Sequence, residues 1–125
     1  MANQLSRLAD IFYALGDPTR CAIVGALGHG PASVSTLAQP FAMALPSFMK
    51  HLSVLERSGV IRSDKVGRVR TCALRPKALS QAEQWMAGQR AMWEARTDRM
   101  ATLVEKRHQE DLTHAQRPPR QPRRR

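Results

Sequence analysis

The chain has 125 residues, of which 42% are hydrophobic, and its formal net charge is +10 at pH 7. This length gives one domain with little room for a second, and the positive charge favours polyanionic partners such as DNA, RNA or an acidic membrane surface. The sequence has no signal peptide and no transmembrane run, and its two cysteines form no CxxC pair. We therefore expect a cytoplasmic protein with free thiols and no membrane partner.

The first two helices are predicted from apolar spacing and from capping residues. Apolar residues of the first helix recur at i, i+3, i+7 and i+10, namely at Leu5, Leu8, Phe12 and Leu15. Asp17 followed by Pro18 predicts the start of the second helix, because Asp accepts from free backbone N–H groups and Pro fits the first turn. Gly28 and Gly30 are expected to end this helix.

A short third helix, capped by Ser33 or Ser35, and a longer fourth helix follow. The fourth helix is expected to begin near Leu45, with Pro46 in its first turn, and to end at Gly59. Its apolar side is predicted to be buried and consists of Leu45, Phe48, Leu52 and Leu55. The opposite side is predicted to face outwards and carries Ser47, Lys50, His51 and Val54.

Two short strands are predicted near residues 60–64 and 69–74, with residues 65–68 at the tip of a hairpin. Gly67 fits a position with positive φ at this tip. The cations of the hairpin are Lys65, Arg68 and Arg70. The last two of these are two positions apart, which would place them on one face of the second strand.

After Pro76 the sequence predicts one helix of about thirty residues, which is too long to pack only against a small domain. Apolar residues recur in it at spacings of seven, at Leu79, Met86, Trp93 and Met100. We expect the surplus apolar face to meet the same helix of a second subunit. Together with the first helix, the predicted dimer contacts are Leu5, Leu8, Phe12, Trp85, Met86, Trp93, Met100 and Leu103.

The fourth helix and the basic hairpin have the pattern of a winged helix-turn-helix DNA reader, in which the hairpin is called the wing. A major groove about 12 Å wide admits a helix, and polar side chains near its N-terminal end can reach base edges. The predicted contacts with double-stranded DNA are Ser47, Lys50, His51, Val54, Lys65, Arg68 and Arg70. The alternatives are an ordinary solvated helix and a charged strand edge that prevents aggregation.

The predicted fold is therefore mainly α with a small β-hairpin wing, in the order α-α-α-α-β-β-α. We predict a DNA-binding and dimerisation domain over residues 1–108 and a disordered tail over residues 109–125, because the end of the chain is rich in Pro and Arg and has no apolar pattern. The arginines of this tail could contact phosphates without sequence preference, or the tail could serve only solubility.

The remaining reactive side chains give weaker signals. Cys21, in the first turns of the second helix, and Cys72, in the second wing strand, could form a redox pair, or they could be idle. A loose set near the end of the last helix matches no strong zinc spacing and consists of His108, Glu110, Asp111 and His114. We assign no metal and no cofactor. The sequence has no phosphate-binding glycine loop, no nucleophile elbow and no carboxylate pair in a predicted cleft, so it does not indicate an enzyme.

Residues 5–105 resemble the ArsR family of bacterial winged-helix repressors. The most specific pieces are GDPTR at 16–20, KHLSVLERSGVI at 50–61 and GR at 67–68. The resemblance implies a homodimer joined through the first and last helices, with two recognition helices in successive major grooves. It also implies repression of a promoter, often the regulator's own, and release by an inducer, which here would be an unknown small molecule.

The chain departs from this family pattern at several positions. Metal-sensing members carry Cys-x-Cys in or near the third helix, where this chain has VSTLAQPFAM, and others use an Asp/His pair where this chain has Asp98 and Met100. Many relatives have Arg in place of Cys21 and Ser in place of Met49. The resemblance therefore implies a branch without the usual metal sites.

Three functions remain in competition. The leading interpretation is a dimeric, sequence-specific repressor. The second is a thiol- or metal-responsive sensor that uses Cys21 and Cys72. The third is a module that binds nucleic acid through charge alone.

Overall fold

The structure, a computed structural model, describes residues 2–116. These residues form five helices and a three-stranded sheet. The helices are α1 (Ala2–Leu15), α2 (Pro18–Leu27), α3 (Val34–Ala38), α4 (Leu45–Arg57) and α5 (Pro76–Gln116). The strands are β1 (Ala32–Ser33), β2 (Ile61–Val66) and β3 (Val69–Leu74). The mainly helical fold with a hairpin wing is confirmed. The predicted order lacked β1, because a two-residue strand has no alternation for a sequence pattern to detect.

Helices α2 and α3 begin at the caps that the sequence indicated. The Asp17 side chain accepts from the backbone N–H of Arg20 at 3.0 Å, and Pro18 occupies the first turn. Gly28 follows the last residue of α2. Ser33, one of the two predicted candidates, caps α3, and its Oγ accepts from the N–H of Thr36 at 3.2 Å.

The sheet is antiparallel in the order β1-β3-β2. Val66 pairs with Val69, so the wing closes through a turn of only Gly67 and Arg68. Gly67 has φ 63° and Arg68 has no positive φ, which is the pattern of a type II′ turn. β2 ends two residues later than predicted, and β3 has the predicted bounds. Arg68 lies in the turn and not on the strand that carries Arg70, which corrects the expected shared face.

The core lies between α1, α2, α4 and the sheet. In α4, Phe48, Leu52 and Leu55 are buried as predicted, and a side chain of this size contributes about 1.5–3 kcal/mol when it is removed from water. Leu45 is 57% exposed, so its predicted burial is wrong. It is the first residue of α4, and this helix enters the core only one turn later, at Phe48. The rest of the core consists of buried Ile11, Ala14, Ile23, Leu27, Leu37, Val60, Ile61, Cys72, Ala78 and Ala82.

Helix α5 has 41 residues and is longer than expected. It continues through residues 109–116, so the predicted disorder of the tail is wrong for these residues, while residues 117–125 lie outside the described part. The chain divides into two compact units between Trp85 and Met86, within α5 and not at the predicted boundary after residue 108. No helix among the described residues is both long enough and apolar enough to cross a membrane.

Candidate nucleic-acid interface

The N-terminal half of α4 is anchored by aromatic packing and leaves its polar side chains free. The Phe41 and Phe48 rings are 5.4 Å apart, which ties the preceding loop to the buried side of the helix. Ser47 and Lys50 are exposed, as predicted. Met49 is half-buried against the core. The helix thus presents a hydroxyl and an ammonium group on a rigid support.

Two other residues that we predicted to face outwards are turned partly inwards. Val54 is half-buried and packs against the hydrophobic core, so its predicted outward position is wrong. The His51 side chain is only 24% exposed, because its ring contacts the elbow between α1 and α2. Both residues lie where α4 meets α1 and α2, at the boundary between buried and exposed surface. Their DNA contacts remain predictions.

Arg20, which the sequence did not assign to the site, joins α1, α2 and α4. This residue is 8% exposed, and no other charged residue among those that the structure describes is buried. Its Nε donates to the Ala14 carbonyl at 2.7 Å and its Nη2 donates to the Tyr13 carbonyl at 3.1 Å. Its Nη1 is 3.1 Å from Nδ1 of His51, and its guanidinium lies 5.2 Å from the centre of the Tyr13 ring. The three helices therefore share one buried cation.

A pattern signal for Arg20 does exist in the sequence. Arg20, Ile23 and Leu27 are spaced at i, i+3 and i+7, which is one face of α2, and all three are buried. A search for apolar residues alone omits Arg20, because its side chain is charged. The GDPTR motif contains this arginine but does not reveal its partners, because these partners come from other helices.

Asp17 completes the cluster around Arg20. Its Oδ2 lies 3.7 Å from Nδ1 of His51. The pKa of the Asp17 carboxyl is lowered, chiefly because the backbone N–H of Arg20 donates to it. Desolvation opposes this effect, and the positive charge of the Arg20 guanidinium adds to it. The carboxylate therefore stays ionised and caps α2 at neutral pH.

In the wing, one cation is held against α4 and two others are free of such contacts. Arg70 Nε donates to Ser63 Oγ at 3.1 Å, and this hydroxyl donates to Glu56 Oε1 at 2.7 Å. Arg70 Nη2 lies 3.8 Å from Glu56 Oε2, in a pair exposed enough to be weak. Lys65, directly opposite Arg70, and Arg68 in the turn are exposed.

The two thiols have different environments. Cys21 is exposed, and its Sγ donates to the Leu15 carbonyl at 2.8 Å. Cys72 is buried beside a cavity of about 110 Å³ between α4 and the wing. Burial raises the pKa of the Cys72 thiol, and Glu56 adds to this effect. A thiol is reactive as its thiolate, so Cys72 is poorly suited to redox chemistry in the folded protein.

The predicted dimer contacts fall into two groups. Leu8 and Phe12 are half-buried within the chain, and the Phe12 ring packs edge-on against Trp85 with centroids 5.6 Å apart. The other six are exposed: Leu5, Trp85, Met86, Trp93, Met100 and Leu103. Within residues 2–116 there is no cluster of three or more His, Cys, Asp or Glu side chains that could hold a metal ion.

Comparison with known proteins gives consistent matches. A family model described as a helix-turn-helix domain matches residues 15–64. The transcriptional repressor SdpR of Bacillus subtilis (strain 168) is 30% identical over 77 residues, which are 62% of this chain and 86% of SdpR.

Two solved structures are also similar. The ArsR family transcriptional regulator RHA00566 is 56% identical, with a TM-score of 0.69, over 71% of this chain and 92% of its own. An ArsR-like transcriptional regulator from Rhodococcus sp. RHA1 is 29% identical, with a TM-score of 0.71, over 81% of this chain and 95% of its own.

The lowered pKa of Asp17 predicts a loss of stability in acid. Because the folded pKa is below the unfolded value of 3.8, this stabilisation is present above that value and is lost as the pH falls through the folded pKa. Asp17→Asn keeps a capping oxygen but has no charge to titrate. We expect the free energy of unfolding, measured in urea between about pH 5 and about pH 3, to fall less steeply for this variant than for the wild type. Parallel pH profiles would contradict this assignment.

The environments of the thiols predict unequal labelling. In the folded protein, we expect iodoacetamide to modify Cys21 and to leave Cys72 unmodified, because the latter is buried and its pKa is raised. Mass spectrometry of peptides, with labelling in urea as the control that exposes both thiols, measures the difference. Equal labelling rates in the folded state would instead support the thiol-sensor alternative.

Proposed function

Since the chain belongs to the ArsR family of winged helix-turn-helix transcriptional regulators, we propose that it acts as a homodimer that binds promoter DNA in a sequence-specific manner and represses transcription, including that of its own gene. The observation that carries this proposal is the pair of exposed polar side chains, Ser47 and Lys50, in the first turns of an α4 whose opposite side is buried at Phe48 and Leu52. An unidentified small molecule would act as the inducer.

Base reading is assigned to the N-terminal half of α4. Side chains near the N-terminus of a recognition helix are those that reach base edges in the major groove. Lys50 can donate to the O6 and N7 acceptors of guanine, and Ser47 can donate or accept. The buried side of the helix is fixed by core packing, so these two side chains would approach the groove from a rigid support.

Backbone contacts are assigned to the wing. Arg68 lies in the tight turn at its tip, and Lys65 lies on the adjoining strand. Arg70 faces Lys65 across the hairpin, and like charges directly opposite each other are unfavourable. The carboxylate of Glu56 partly offsets this repulsion in the free protein. DNA phosphates would offset it further, so binding would favour the same arrangement of cations.

The homodimer is supported by the amount of exposed apolar surface. Met86, Trp93 and Met100 recur at spacings of seven in α5 and are 49%, 69% and 67% exposed. Burial of a large aromatic ring such as that of Trp93 would lower the free energy of the protein. An apolar row with a period of seven is typical of contacts between helices. In the first unit, Leu5 is 61% exposed and adds a further apolar position. A second copy of the chain would cover these residues.

The proposal predicts different effects for two single cations. Lys50→Ala should reduce the preference for the native upstream fragment over a scrambled duplex by about 1–3 kcal/mol, because a base contact is lost. Arg68→Ala should weaken binding to both fragments alike and reduce the slope of log K against log salt by about 1, because a phosphate contact is lost. Fluorescence anisotropy at several salt concentrations measures both quantities.

The matched control is Arg107→Ala, which removes the same charge from α5 outside the helix-turn-helix segment. If it reproduced the effect of Arg68→Ala, the wing would have no special part in binding. If Lys50→Ala left discrimination unchanged, base reading by α4 would be wrong. If the wild type bound both duplexes equally, the protein would bind this fragment through charge alone, and the proposed sequence-specific binding to it would be rejected.

Dimerisation predicts a sharp difference between two substitutions in α5. Trp93→Glu places a carboxylate in the apolar row, and an unpaired charge is costly to bury. We expect a mass close to that of the monomer in analytical ultracentrifugation, together with weaker DNA binding. Ala95→Glu introduces the same charge on the opposite side of the helix and should leave the mass of the dimer unchanged. If both variants remained dimers, the row of Met86, Trp93 and Met100 would be excluded as the dimer interface.

A further inference from the structure

The contact between Arg20 and His51 determines which nitrogen of the imidazole carries hydrogen. A guanidinium has only donors, so at 3.1 Å from Nη1 of Arg20 the Nδ1 of His51 must act as an acceptor. A neutral imidazole that accepts at Nδ1 carries its hydrogen on Nε2. The remaining polar atom of the ring is therefore an N–H donor.

The other arrangement of protons fits the distances less well. A hydrogen on Nδ1 would have to be shared with Asp17 Oδ2, which is 3.7 Å away and beyond normal hydrogen-bond distance. It would also point towards the N–H groups of Arg20. Because Arg20 is held by the carbonyls of Ala14 and Tyr13, it cannot turn away without leaving buried donors unpaired.

We infer that Arg20 is a positioning residue, which fixes His51 as an Nε2–H donor so that α4 donates to a purine N7 in the major groove. This inference rests on the proposed function. Purine N7, guanine O6 and thymine O4 are all acceptors on the groove edge, whereas the exocyclic amine of cytosine is a donor and cannot pair with an N–H group. Replacement of N7 alone distinguishes a contact with N7 from a contact with either oxygen. The Nδ1 edge of the ring contacts the buried Arg20 and the side chain is 24% exposed, so the inference requires that the exposed part of the ring include Nε2.

The first test uses the free wild-type protein. Nitrogen-15 NMR of the full chain reports the tautomer of each histidine, and His51→Gln identifies the resonance. We expect hydrogen on Nε2 and none on Nδ1. A ring with its hydrogen on Nδ1 would overturn the inference, and this measurement does not depend on whether any Arg20 variant folds.

The second test links Arg20 to one base. A duplex is selected from a random pool by the wild-type full chain, and each purine is replaced in turn by its 7-deaza analogue, which lacks only the N7 acceptor. We expect one position in each half-site at which this replacement weakens binding about tenfold, the equivalent of one hydrogen bond. In Arg20→Met the same replacement should have no effect.

Three variants separate positioning from general structure. His51→Gln keeps a donor near the position of Nε2 and should retain the 7-deaza effect, whereas His51→Asn should lose it. Arg57→Met removes an exposed cation from the same helix and should retain the effect. Retention of the effect in Arg20→Met, or its loss in Arg57→Met, would overturn the inference. A failure to select any preferred duplex would instead reject the proposed function itself.

Discussion

The burial of the Arg20 guanidinium is the constraint on which the placement of α4 depends. A buried charge without partners costs several kcal/mol even after the protein relaxes, so the surrounding groups must supply acceptors. These acceptors are the carbonyls of Tyr13 and Ala14 at the end of α1 and the imidazole of His51 in α4. If α4 moved relative to the elbow between α1 and α2, at least one donor of the guanidinium would lose its partner. The three helices are therefore coupled by hydrogen bonding as well as by apolar packing.

The sequence predicted those features that local physics determines. The caps at Asp17 and Ser33 satisfy backbone groups within three residues, and the apolar side of α4 follows from helical spacing. The burial of Arg20 and the half-buried position of His51 could not be predicted in this way. Their contact joins residues 31 positions apart, and the packing of α4 on α1 and α2 determines it. Arginine side chains are usually exposed, and we predicted that His51 faces outwards, but the packing of the three helices buries Arg20 and partly buries His51.

The wing shows the same division between local and non-local information. Gly67 was identified correctly because a tight turn needs positive φ there. The exact register, however, decides which cation lies where. β2 ends two residues later than predicted, which moves Lys65 from the tip into the strand, while Arg68 lies in the two-residue turn. Register also brings Ser63 opposite Cys72 and next to the Arg70–Glu56 pair. Residues that appear equivalent in the sequence thus differ in how freely they can reach a phosphate.

Lys50 and His51 would contribute to DNA binding in different ways. Lys50 is exposed, so forming a contact would cost most of the rotamer entropy of its long chain. His51 is already held by Arg20, so its orientation is fixed during folding and binding need not order it again. A held side chain favours discrimination, because it cannot move to meet an acceptor in the wrong position. A mobile cation favours attraction to many sequences. On the proposed function, the adjacent positions of these side chains in α4 would allow a general attraction to DNA to precede a more exacting test of a single base.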